Sequence, residues 1–152
     1  MGTRFRRALP EDRERIGALF EEMLRSIYRC DQVRGLGEQD LDRFFSGGED
    51  WICLAEEDGE VTAFLSIEVH REGPDYVYLD DLSVTEKSRG RGIGSRLIRI
   101  AEEYAGELGI PQLALHVEKT NGGARRLYER LGYSPFRDEG SRLCMVKRLS
   151  EE

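Results

Sequence analysis

Two acidic residues, Asp80 and Asp81, stand side by side in an otherwise apolar run, Tyr76 to Val84. A carboxylate set among apolar neighbours can be tuned to accept a proton near neutral pH. The plainer use of the same pair is a solvated or salt-bridged surface. Just beyond the run comes Ser88-Arg89-Gly90-Arg91-Gly92-Ile93-Gly94-Ser95-Arg96-Leu97, with three glycines and two arginines between positions 89 and 94. This stretch follows a predicted strand and opens a predicted helix, Ile93 to Leu108. A helix N-terminus carries unpaired N–H groups and a partial positive charge, and glycine lets a ligand approach the backbone closely. The junction is therefore an anion seat, and backbone amides from Arg89 to Ser95 can bind a phosphate without side chains. Two familiar patterns fail to fit it. The dinucleotide fingerprint needs G-x-G-x-x-G, whereas Gly90, Gly92 and Gly94 give G-x-G-x-G. The P-loop needs a lysine after its last glycine, and Ser95 stands there.

The elements that must position these residues follow from hydrophobic period and turn chemistry. Thr3 to Ala8 is a strand candidate, and Pro10-Glu11-Asp12 reads as a helix start. Ile16, Leu19, Phe20, Met23 and Leu24 recur at helical spacing. Tyr28 to Glu38 reads as a loop, and Asp40 to Phe45 as a short second helix ended by Gly47-Gly48. Trp51 to Ala55 and Val61 to Val69 are strands joined at Asp58-Gly59, a hairpin signal because both central residues of that turn need positive φ. Gly73-Pro74-Asp75 turns the chain into Tyr76 to Val84, which completes an antiparallel meander. Gln112 to Val117 must then lie parallel to Tyr76–Val84, because a helix intervenes. Asn121 caps a last helix bearing Ala124, Leu127, Tyr128 and Leu131 at helical spacing. Tyr133 to Phe136 and Leu143 to Leu149 are the closing strands, joined by the polar loop Arg137 to Arg142. The order β-α-α-β-β-β-α-β-α-β-β predicts an α/β fold of one domain, residues 1–152. Its sheet is mixed, mostly antiparallel and of about seven strands, with a central parallel βαβ unit and about four helices.

Composition narrows the class. A chain of 152 residues with 39% hydrophobic and 35% charged residues supports one core under a charged surface. A formal net charge of −7 argues against a general nucleic-acid binder and favours cationic partners. Cys30, Cys53 and Cys144 show neither a metal-ligand spacing nor a disulfide framework, so no metal is expected and Cys53 and Cys144 read as buried thiols. The basic stretch Met1 to Arg7 lacks an apolar follow-on, and no apolar run reaches membrane-spanning length. The expectation is a cytoplasmic protein with no membrane association. His70 reads as surface and His116 as core packing, and neither receives a role.

Arg89-x-x-Gly92-x-Gly94, placed between a strand and a helix, resembles the acetyl-CoA signature of the GNAT superfamily of N-acetyltransferases. Asn121-Gly122-Gly123-Ala124-Arg125-Arg126-Leu127-Tyr128-Glu129-Arg130-Leu131-Gly132-Tyr133 resembles the second signature of that family, N-x-x-A-x-x-L-Y-x-x-x-G-[FY]. The two occur in the family's order, separated by one helix and one strand. The resemblance implies acetyl-CoA as co-substrate, with its pyrophosphate on Arg89, Gly90, Arg91, Gly92, Ile93, Gly94 and Ser95. It implies that Leu82, Ser83 and Val84 pair with the pantetheine arm, and that Asn121, Ala124 and Tyr128 complete the cofactor site. Tyr128 becomes the candidate general acid for the leaving thiolate. Asp80, four residues before Val84, is the preferred base for the attacking amine, directly or through water, and Asp81 is the alternative. A bulge in their strand would exchange the faces they point to.

The implied reaction is acetyl transfer to a primary amine by direct attack in a ternary complex. A non-catalytic acyl-CoA-binding or regulatory domain of the same fold is the alternative. The acceptor, a small molecule or a protein amine, is not specified. Asp31, Glu38, Asp138 and Glu139 would suit a cationic acceptor, whereas Arg29, Arg34 and Arg137 would suit one with a carboxylate. Members of the family are often dimers, which makes a homodimer a further expectation.

Overall fold

The computed structural model describes residues 2–28 and 41–149, so the expected loop Tyr28 to Glu38 falls almost wholly outside them, together with Arg29, Cys30, Asp31 and Arg34. The described strands form one seven-stranded sheet in the order β1-β2-β3-β4-β5-β7-β6. They are β1 (Thr3–Arg7), β2 (Trp51–Glu57), β3 (Glu60–His70), β4 (Tyr76–Val84), β5 (Gln112–Glu118), β6 (Ser134–Asp138) and β7 (Arg142–Arg148). All neighbouring pairs are antiparallel except β4 and β5, which run parallel. That parallel pair brackets the expected βαβ unit. The α-helices among the described residues are three: α1 (Arg13–Tyr28), α2 (Ile93–Glu107) and α3 (Gly122–Arg130). This is fewer than the about four expected from sequence. The short helix expected over Asp40 to Phe45 is represented by helical residues 41–42 and a 3-10 turn, Arg43–Phe45. Pro10–Asp12 is likewise a 3-10 turn leading into α1.

Local chemistry explains the main boundaries. Asp58 and Gly59 both adopt positive φ, at 52° and 82°, as the predicted two-residue hairpin between β2 and β3 requires. α2 begins at Gly92, whose φ of 80° lies in the left-handed region. Its side chains Ile93, Leu97, Ile98, Ala101 and Ala105 are all buried and share one helical face. That face packs on Ala63, Leu65 and Ile67 of β3 and on Leu113, Leu115 and Val117 of β5. Burying each branched side chain of this kind stabilises the fold by roughly 1.5–3 kcal/mol. α1 covers the other face of the sheet, where Ile16 and Leu19 meet Ile52, Leu54 and Phe64.

The two halves of the sheet are covered unequally. β3 is buried on both faces from Val61 to Glu68. β5 instead alternates, with Leu113, Leu115 and Val117 buried and Gln112, Ala114 and His116 partly open. α1 reaches β3 and β4. Over β5 and β7, among the described residues, the same face of the sheet carries a groove lined by Tyr76, Tyr78, Ala114, His116, Cys144 and Val146.

Candidate active site

β4 and β5 part company midway. Their parallel pairing runs from Val77–Leu113 to Leu79–Leu115 and stops. β4 continues to Val84 and β5 to Glu118, so a wedge opens between them. The wedge is a cleft of about 430 Å³ lined by Tyr78, Asp80, Asp81, Leu82, Ser83, Val84, Arg89, His116, Asn121, Ala124, Leu127, Tyr128 and Arg142. Most of the residues singled out from the sequence therefore meet at one place. The sequence did not say why the strands separate.

The separation coincides with a bulge. Opposite β3, the register is Leu65–Leu82 on one side and Ile67–Leu79 on the other. Asp80 and Asp81 together therefore oppose Ser66, and β4 holds one extra residue there. Before the bulge Val77 and Leu79 face the α2 core, and after it Leu82 and Val84 pack on that side. Ser83 turns toward α1, and its hydroxyl donates to the Leu19 carbonyl at 2.8 Å. The bulge thus leaves both carboxyls lining the wedge, Asp80 more exposed and Asp81 partly buried.

The bulge also sorts the backbone of the β4 end. Thr85 N–H donates to Thr62 O at 2.8 Å across β3. By alternation, the amide and carbonyl groups of Leu82 and Val84 point the other way, into the wedge. Of these, Val84 O already accepts from Arg89 Nε at 2.9 Å.

Of the glycine loop only Arg89 lines the cleft; Gly90, Arg91, Gly92, Ile93, Gly94 and Ser95 lie beyond it, with Gly94 packed behind Leu82, Val84 and Leu127. α2 makes its first backbone bond from Arg96 N–H to Gly92 O at 3.0 Å, and no side chain caps it. The amides of Ile93, Gly94 and Ser95 precede that bond. A Cβ on Gly94 would lie 3.5 Å from Leu82 Cδ2 and 3.8 Å from Leu127 Cδ2, so the site admits a methyl group and little more. The arginines are committed elsewhere. Arg89 also lies 3.5 Å from Glu22, Arg91 pairs with Glu57, and Arg96 lies 3.8 Å from Glu103 with its guanidinium near the Phe5 ring. What this loop offers is therefore backbone amides more than side-chain charge.

Asn121 caps α3, its Oδ1 accepting from Ala124 N–H at 3.3 Å. The amide NH₂ end of the same side chain is not needed for a cap. Tyr128, on the same helix, lines the cleft and sits edge-on to Tyr133 with ring centroids 6.4 Å apart. Burial, reinforced by the negative charge of Asp81, pushes its phenol up to about 12. At neutral pH it is a proton donor.

The carboxyls are held by partners that the sequence did not single out. Glu68 of β3, only 9% exposed, accepts from Arg43 at 2.7 Å and lies 3.0 Å from His70 Nε2. Arg43 also reaches within 3.7 Å of Asp80, whose side chain is 33% exposed. Desolvation, a hydrogen bond with Glu68 and the charge of Asp81 together hold Asp80 well above the ordinary carboxylate range. Asp81 is raised to about 6, by desolvation and then by the charge of Glu68. The signal available in the sequence was Glu68 itself, a lone acid in an apolar strand.

His116 corrects its sequence reading. It is not core packing: its side chain is 21% exposed and forms the wall between the cleft and the open groove. Its Nδ1 lies 2.5 Å from the Tyr78 hydroxyl and its Nε2 3.1 Å from Glu139 Oε2. A hydrogen-bonded chain thus runs from Tyr78 in the cleft, through His116, to Glu139 in the β6–β7 turn. His70, read as surface, is partly exposed and stacks on Tyr76 with ring centroids 4.7 Å apart. Cys53 is buried as expected, and Cys144 is only partly so.

A parallel pair splayed beside a bare helix N-terminus, with an acid and a base candidate on facing walls, defines an acyl-transfer type of site. Residues 19–133 match the family model described as the acetyltransferase (GNAT) family, and the chain belongs to that family. It is 33% identical over 136 residues to an uncharacterised N-acetyltransferase, YhfO, of Bacillus subtilis, covering 84% of this chain and 87% of the relative. Its fold resembles that of the PaiA N-acetyltransferase of Thermoplasma acidophilum, solved with coenzyme A (TM-score 0.81, 18% identity, 97% of this chain and 99% of the other). A chain of the NatC complex, solved with Gag peptide and CoA, is similar at a TM-score of 0.80 and 18% identity, covering 99% and 100% of the two chains. Among the described residues, no helix is long and apolar enough to cross a membrane.

Proposed function

We propose that this chain moves an acetyl group from acetyl-CoA to a primary amine by direct attack in the wedge between β4 and β5. The observation that carries the reading is that one cleft brings the unpaired end of β4 at Leu82 to Val84 together with Tyr128, Asp80 and Asp81. The pyrophosphate sits on the amides from Arg89 to Ser95. The pantetheine amides pair with the open edge of Leu82 and Val84, as an added strand would. Asn121 Nδ2 donates to the same arm, and Ala124 lets it pass close to α3.

A protonated alkylamine must lose a proton before it can attack. Asp81, raised only to about 6, is mostly ionised at neutral pH and is the resting acceptor. Asp80, raised further to about 8 and hydrogen-bonded with Glu68, is mostly protonated at neutral pH and passes protons on rather than taking the first one. The amine nitrogen then bonds to the thioester carbonyl carbon, and the carbon–sulfur bond breaks. The Tyr128 hydroxyl donates its proton to the departing thiolate, and the amine proton leaves through the carboxyl pair. Their negative charge also draws a cationic amine to the mouth of the cleft.

Thiol release from acetyl-CoA across a panel of amines tests this directly. The expected result is acceptor-dependent release that Tyr128→Phe lowers by about 100-fold or more, within the usual range for a general acid. Tight acetyl-CoA binding without release for any amine would instead make the chain an acyl-CoA-binding domain of the same fold.

A further inference from the structure

His116, Glu139 and Cys144 are far apart in the chain yet meet on the open face of the sheet. β5 and β7 pair in antiparallel register with His116 directly opposite Cys144, so both side chains lie on one face. Glu139 arrives from the β6–β7 turn, where its N–H donates to Arg142 O at 2.9 Å. β6 is bulged between Pro135 and Arg137, and the turn after it bonds near the end of β5 through Lys119 N–H to Ser141 O at 2.9 Å. One donor atom from each of the three side chains lies within 4.8 Å of the other two.

We propose that His116 Nε2, a Glu139 carboxylate oxygen and Cys144 Sγ form a binding site for a divalent cation of the zinc class, with one coordination position open. Nitrogen, oxygen and sulfur donors in one cluster are the set that zinc accepts, and three protein ligands leave a fourth place for water. Zinc bond lengths of about 2.0–2.3 Å require donor atoms roughly 3.3–3.7 Å apart, so closure asks about 1 Å of side-chain movement. The ligands are already oriented. His116 engages the Tyr78 hydroxyl through Nδ1, which leaves Nε2 as the ligating nitrogen. Glu139 Oε1 lies 3.4 Å from Arg142, while Oε2 faces His116. The thiolate is the ligating form of Cys144, so coordination releases one proton from it. A dication with one carboxylate, one thiolate and a neutral imidazole is electrically balanced. The metal would take the place of the hydrogen between His116 and Glu139, and so cut the chain that runs from Tyr78 to the surface. If acetyl transfer uses that wall of the cleft, as the proposed function has it, occupancy slows transfer.

Cobalt(II) titrated into the full chain is the probe. The expected result is one equivalent bound, with a thiolate-to-cobalt charge-transfer band that zinc(II) abolishes by displacement. Cys144→Ser removes the band, and Glu139→Gln weakens cobalt binding about tenfold or more. Both variants should keep the circular-dichroism spectrum and the acetyl-CoA affinity of the parent, which separates lost ligation from misfolding. Absence of the band, or its survival in Cys144→Ser, overturns the site. Zinc should slow acetyl transfer by the parent and not by Cys144→Ser, whose metal-free rate should match the parent. The cobalt spectrum reads the site even if no amine proves to be acetylated, so the two proposals fail separately.

Discussion

One wall of the cleft, made by Leu82 to Val84 and Arg89 next to the glycine loop, offers mainly backbone groups, whereas the stretch around Asp80, Tyr78 and His116 forms a second wall of side chains held by other side chains. On the first wall, Gly92 in the left-handed region and an uncapped α2 leave amides free, and the nearby arginines are engaged with Val84 O, Glu22, Glu57 and Glu103. On the second, Asp80 depends on Glu68 and Arg43, and Tyr78 on His116 and Glu139. A backbone site tolerates changes in neighbouring side chains and fails when the chain cannot adopt its path or a side chain blocks it. A side-chain site fails through its supports, because each carboxyl is tuned by the groups behind it.

The sharpest break of the comparison is Gly94→Asp, which puts a carboxylate against Leu82 and Leu127 beside the free amides. Acetyl-CoA affinity should fall by more than about 100-fold by direct titration, since anion repulsion and steric overlap act together. Gly94→Ala, which fits the space, should lose far less. Next in size is Glu68→Gln. Removing its charge lowers the raised pKa of Asp80 and Asp81, so the acidic limb of the kcat/KM profile should move to lower pH. The rate at the plateau should fall about 10-fold through loss of positioning. An unmoved limb would separate Glu68 from the carboxyl pair.

Asp80→Asn gives the stability counterpart. A carboxyl whose pKa is raised on folding stabilises the fold at pH values below its unfolded value of 3.8, and that contribution is lost as pH rises through the folded value. Melting temperatures of the Asn variant and the parent should therefore diverge in favour of the variant as pH rises from 5 toward about 8, the reverse of a salt-bridged acid. A variant less stable than the parent at the upper end would remove the strain assigned to Asp80. The smallest expected effect belongs to Arg96→Ala. Its guanidinium faces Glu103 and Phe5, away from the cleft, so acetyl-CoA affinity should change by less than about twofold. A large loss would mean that side-chain charge matters on the backbone wall after all.

The contrast between the walls also explains what could be read without coordinates. The glycine loop, the cap at Asn121 and the turn at Asp58-Gly59 are local devices, in which a few adjacent residues must take unusual dihedrals or satisfy helix-end amides. Such demands leave residue types in a fixed order along the chain, so they are visible as motifs. Hydrophobic period likewise marked the seven strands and the α2 face, with ends within a few residues. His116 was misjudged because its alternation with Leu115 and Val117 fits either face of a strand, and among the described residues no helix covers it on β5.

The sequence by itself determined the family, the order of elements and the glycine-rich turn into α2, because each rests on contacts between residues close in the chain or on a face repeated at a regular period. Tertiary structure decided which way Asp80 and Asp81 point, through one extra residue in β4 opposite Ser66. It decided that Glu68 stands behind them and that His116 bridges Tyr78 and Glu139. It also brought His116 and Cys144 face to face across β5 and β7. Each of these is a matter of strand register, and register is set by the whole sheet at once: a shift of a single residue would turn every one of those side chains to the other face.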